Sequence, residues 1–259
     1  MRGEKIALDK PYRQIIRPVG PGIGGEKYDY VGARLEDSYL LDPDYAPGRA
    51  NTVRAYHLLE RDLLRAFDYL EPAERNLEAY SHRLYELLLR ASTEFEANCK
   101  AILKANGYKK CGNWNIRDYM KVEASSRLSE YEVRIAMWRE GHKILRPFKG
   151  WPSSKQPSWY RAYNAVKHNR SDDFPKANLQ NVLCAVSGLL AVLFSQFYVL
   201  SFQAHPPETM WHTDDGWLFH DDSVFAVKPP QGWRPDEFYK FDWAALRQQS
   251  DKFAKFPFK

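Results

Sequence analysis

Apolar residues fall at helical spacing in three long tracts of this chain. From Asn51, a good N-cap, TVRAYHLLERDLLRAFDYL places Leu59, Leu63, Ala66, Phe67 and Leu70 on one stripe, which predicts a helix up to the Glu71-Pro72 break. A second helix is expected from about Ala73 to Asn106, with Leu77, Tyr80, Leu84, Leu88, Ala91, Phe95, Cys99 and Ile102 on one side and Gly107 as its stop. A third, from about Pro175 to Ser201 behind Asp172 and Asp173, is apolar all round. Between them, Asn115 to Glu123 reads as a short helix and Ser158 to Arg170 as a longer one. Tyr131, Val133, Ile135 and Met137 alternate in strand period, and with the Glu140-Gly141 turn they predict a β-hairpin near 129–149.

The expected fold is therefore mainly α: a helical bundle over 51–203 with a small inserted β-hairpin, flanked by irregular arms. Residues 1–50 carry five prolines and the glycines of GPGIGG (Gly20 to Gly25), which favour an irregular arm with a plain turn over a nucleotide loop. Residues 204–259 read as an aromatic-rich tail packed on the bundle, with a short strand at Val224 to Val227 and a helical turn at Trp243 to Arg247.

Charge and cysteine content narrow the setting. The 38 Lys+Arg against 33 Asp+Glu are spread along 259 residues, a surplus compatible with an acidic partner such as RNA. Cys99, Cys111 and Cys184 form no CxxC pair, which argues against a disulfide scaffold and for a reducing, cytoplasmic setting. The N-terminus has no apolar core of a secretory signal. Val182 to Leu200 is uncharged and long enough to span a bilayer, but a helix buried on all sides has the same composition, and no membrane partner is expected.

The segment with the most chemistry is WYRAYNAVKHNR, Trp159 to Arg170. On a helix, Trp159, Ala162, Tyr163 and Val166 form an apolar stripe, and Arg161, Asn164 and His168 form a second on the opposite side. Arginine suits phosphate binding, the amide suits orientation, and histidine suits proton transfer near neutral pH. A solvated polar face with no function has the same pattern. Lys167 and Arg170 would add attraction for a polyanion. On the long second helix, Asn98 projects from an apolar stripe, either as a hydrogen-bond hub or as part of a site, and Glu94 sits four residues from Arg90 as an ordinary helix pair would.

Arg161-x6-His168 resembles the R-x(4–6)-H signature of HEPN domains, helical bundles of toxin–antitoxin, phage-defence and CRISPR-linked ribonucleases. The order of elements is similar too, over about Asn51 to Ser201. Many members read R-N-x-x-x-H; here Tyr163 precedes Asn164 and the arginine lies two positions earlier. The resemblance implies cleavage of RNA without metal or cofactor, with Arg161, Asn164 and His168 catalytic. Asn98, Glu94 and Tyr163 would support them, and Lys167 and Arg170 would bind RNA. It further implies a homodimer and an antitoxin or other regulatory protein as partner. Some HEPN-like domains have lost the reaction and serve as protein- or RNA-binding modules, which stays the alternative. His212, Asp214, Asp215, His220, Asp221 and Asp222 in WHTDDGWLFHDD match no metal-ligand spacing and read as an acidic surface loop.

Overall fold

The computed structural model describes residues 8–19, 39–153, 156–198, 211–220 and 223–259, and the fold is mainly α. The principal helices are α1 (Arg49–Phe67), α2 (His82–Ala105), α3 (Ile116–Ser126), α4 (Ser158–His168) and α6 (Leu179–Phe197). Two single-turn helices, α5 (Arg170–Asp173) and α7 (Trp243–Leu246), complete the set among the described residues.

Three boundaries differ from the periodicity, each for a local reason. The second helix does not begin at Ala73: that residue is extended, a 3-10 turn occupies Glu74–Asn76, and α2 starts where the Ser81 hydroxyl accepts the Leu84 amide. Gly48 rather than Asn51 precedes α1. The apolar helix starts at Leu179 because the Asn178 side chain accepts the Asn181 amide, while Asp172 and Asp173 belong to α5. A short helix does follow Asn115, and a reciprocal capping box with Asp118 fixes its first turn.

Helix α2 lies against α6 along its length, with α1, α3 and α4 packed around this pair. Helix α6 is the centre of the core: 83% of its most apolar window is buried, which accounts for its membrane-like composition. An aromatic knot sets the position of α4 against the centre. Phe95 of α2 meets Trp159 edge-on at 5.2 Å, Phe148 stacks on Trp151, and the Trp159 indole donates to the Pro147 carbonyl at 3.0 Å. The rings of Phe148 and Trp159 close over Gly188, where a Cβ would meet each at 3.2 Å.

Strands β1 (Glu132–Ile135) and β2 (Lys143–Leu145) pair antiparallel, with Val133 opposite Leu145. They are not an isolated insert. The C-terminal segment, expected to be largely irregular, adds β3 (Trp211–Asp214), β4 (Trp217–His220) and β5 (Phe225–Lys228), giving one antiparallel sheet in the order β2-β1-β5-β4-β3. Asp215 and Gly216, both at positive φ, make the two-residue turn between β3 and β4.

Residues 8–19 run against the C-terminal segment and the end of α6. Leu8 and Val19 bridge to Tyr239, Tyr12 bridges to Ala254, and the Ile16 amide donates to the Ser195 carbonyl. Arg17 is buried there, donating to Glu237 and to the Ser125 carbonyl with its guanidinium over the rings of Trp233 and Phe256. The GPGIGG stretch lies outside the described residues.

Candidate functional site

Helix α4 keeps the two faces that its spacing predicts. Trp159, Ala162, Tyr163 and Val166 are buried, while Arg161 and His168 are exposed and Asn164 is half-buried. The helix ends at His168 because Asn169 leaves the helical region at φ −137°, ψ 68°. Lys167 and His168 thus occupy the last turn, where the carbonyl end of the helix favours cations. Among the described residues, the side chains of Arg161, Asn164 and His168 make no hydrogen bond or ion pair. Two helical turns, about 10 Å of rise, separate Arg161 from His168, with Asn164 between.

The other anticipated residues distribute unevenly around this face. Lys167 leans away from it: its ammonium donates to the hydroxyl of buried Tyr163 at 3.0 Å, and that hydrogen bond raises its pKa. Tyr160 donates to Glu96 at 2.7 Å; burial first, and then the neighbouring carboxylate, drives its phenol far above the usual range. Tyr160 therefore ties α4 to Glu96 of α2, while the Lys167–Tyr163 bond stays within α4. Arg170 lies beyond the helix break on α5, its guanidinium 5.6 Å from the Tyr85 ring centre.

Asn98 is occupied elsewhere. Its amide nitrogen donates to the Glu94 carbonyl at 2.8 Å and its oxygen accepts from Gln196 of α6 at 2.9 Å. Glu94 contributes that carbonyl within α2. The geometry of Asn98 and Glu94 is thus that of a hydrogen-bonded joint between α2 and α6. Among the described residues, neither is hydrogen-bonded to Arg161, Asn164 or His168.

Next to the α4 terminus stands a group of rings that helical spacing did not single out. Phe174 packs edge-on to Tyr80 at 5.6 Å, against His82 at 4.8 Å and against Tyr85 at 6.0 Å. Arg170, two residues after His168, joins this group through Tyr85. These residues come from the segment before α2, from α2 itself, and from the turn after α5, so no single period links them.

Among the described residues no group of three or more His, Cys, Asp or Glu is placed to hold a metal ion. Asp215 pairs with Lys228. The backbones of His212, Asp214 and His220 belong to β3 and β4; their side chains, and Asp221 and Asp222 altogether, lie outside the described residues. No family model, no curated protein and no solved structure matches the chain.

Proposed function

We propose that this chain is a HEPN-like helical bundle that cuts RNA without a metal ion at the outer face of α4. One observation carries the reading. Arg161 and His168 are exposed and Asn164 half-buried on one stripe, and their side chains bond to no described residue, on a helix whose opposite face is locked by Trp159. Groups kept free of internal partners remain available to a ligand.

In this reading His168 takes the proton from a ribose 2′-hydroxyl. The 2′-oxygen attacks the adjacent phosphorus, and the P–O5′ bond breaks. The departing 5′-oxygen receives a proton from water or from a second histidine, leaving a 2′,3′-cyclic phosphate and a 5′-hydroxyl. Arg161 neutralises the charge that builds on the phosphoryl oxygens, and the Asn164 amide donates to one of them. Facing motifs in a homodimer would supply the second histidine. A cytoplasmic toxin or defence role, restrained by a partner protein, follows from the resemblance alone.

A second reading is a non-catalytic HEPN-like module that binds RNA or protein. It is favoured by the lack of any described group orienting the His168 imidazole, since a general base is ordinarily held by a partner.

Cleavage of a mixed RNA pool in EDTA separates the two. The parent yields cyclic-phosphate ends, and His168→Ala lowers the rate by about 100-fold or more. Both His168 and Arg161 are exposed, so His168→Ala and Arg161→Ala retain the parent's circular dichroism. Intact RNA with the parent, or equal cutting by the variants, transfers the conclusion to the binding module.

A further inference from the structure

Of the rings beside the α4 terminus, Tyr85 packs against the core, whereas Tyr80, His82 and Phe174 stand outside it. Tyr80 is 51% exposed and His82 is exposed, while Phe174 and Tyr85 are half-buried, so the group is half-open to solvent. Isolated exposed aromatics are ordinary; three rings gathered on a fourth, with a guanidinium over one of them, are not. The support beneath Tyr80 is rigid. The segment before α2 is bridged to the start of α6 by Leu179 N–H to Ala79 C=O and Gln180 N–H to Leu77 C=O, both 2.9 Å, with Tyr80 facing Asn178 across the bridge.

Tyr80 also borders the open groove between the end of α1 and the start of α2, which has Leu84 and Leu87 on its wall. Space for a flat group therefore exists on its free side. The charges lining the groove balance, Arg65, Arg83 and Arg90 against Asp62, Asp68 and Glu86, and the surplus comes from the stretch Ser158 to Lys176, where Arg161, Lys167 and Arg170 stand against Asp172 once the Lys176–Asp173 pair is set aside. Asp173 is already paired with Lys176, and Asp172 accepts from Asn169.

We infer that Tyr80, His82 and Phe174, with Arg170, form a stacking subsite for an unpaired base of single-stranded RNA whose phosphate lies on the α4 face. This rests on the proposed RNA reading and names its substrate class. Aromatic faces accept any base once it is unstacked, and arginine between ring and phosphate serves both the base and the backbone. A duplex keeps its bases inside the stack and cannot use such a platform.

The test is fluorescence anisotropy with a labelled 2′-O-methyl RNA, which cannot be cleaved, in single-stranded and duplex form, alongside cleavage of ordinary RNA by the same preparations. The parent is expected to bind the single strand at least tenfold more tightly than the duplex. Tyr80→Ala and Phe174→Ala should each weaken single-strand binding on the order of tenfold, with Tyr80→Phe close to the parent. Tyr80 is half-exposed, so its variant tests the subsite even if Phe174→Ala unfolds. Binding that ignores Tyr80→Ala, equal affinity for duplex, or no binding by the parent overturns the subsite. Cleavage that depends on His168 while binding ignores Tyr80 leaves the ribonuclease reading standing and removes only this inference. Binding that depends on Tyr80 without any cleavage does the reverse.

Discussion

Replacing Asn98 by alanine would leave the Gln196 amide with only its weaker contact to the Val192 carbonyl, 3.2 Å away, inside the α2–α6 joint. A buried donor stripped of its acceptor costs about 1–3 kcal/mol. Urea unfolding of Asn98→Ala should show a loss of that size, with RNA cleavage retained in proportion to the folded fraction. A cleavage defect beyond the loss of folded protein would return Asn98 to the site. Asp118 offers a second residue-scale test. Burial disfavours its charge, but donors from Lys110, the Asn115 amide and Tyr108 outweigh burial and hold its pKa below the ordinary carboxylate value. A lowered folded-state pKa means that the ionised form is stabilised by folding. Its contribution is therefore present above about pH 4 and is lost as pH falls through the lowered value. Asp118→Asn should reduce the thermal midpoint at pH 7 and flatten its fall in acid, measured by calorimetry between pH 2 and 7.

Among the elements, the α4–α6 contact is the one on which the candidate site depends. Gly188 has no room for a branched side chain under Phe148 and Trp159, so Gly188→Val should destabilise by about 1–3 kcal/mol. By pushing Trp159 outward it should also shift α4, which indole fluorescence and cleavage rate can both follow. This level also explains what could be read in advance. Helical spacing placed the buried and exposed faces of α4 correctly because a period of 3.6 is a local property, so Arg161 and His168 were visible from sequence. Helix starts were less legible because single side chains, Ser81 and Asn178, set them. The β3–β4 hairpin had its signal in Asp215-Gly216, a dipeptide suited to a turn with two positive φ values, yet the surrounding acidic residues suggested a loop. The ring cluster at Phe174 had no signal at all, since three separate segments build it.

For the whole molecule, residues 8–19 are joined to the C-terminal segment. Tyr239, fully buried, donates to the Ile15 carbonyl at 2.8 Å and accepts the Tyr12 amide at 3.0 Å, and Arg17 and Arg127 both reach Glu237. Removing residues 1–19 should therefore loosen residues 229–259. Limited trypsin digestion is expected to cut at Lys240 or Arg247 in the shortened chain well before the same sites in the parent. Equal digestion of the two would mean that the C-terminal segment holds to the core without its partner.

The strand order carries a consequence for synthesis. Strand β1 needs β5, the central strand, on one side, and the two lie roughly a hundred residues apart, so this pairing is non-local and slow to close. On the ribosome, α1 to α4 and the β1–β2 hairpin emerge while one side of β1 is still bare, an edge that invites pairing with another nascent chain. The half-made protein is thus most exposed to misassembly while α6 is being translated, and it stays so until the last strand leaves the exit tunnel.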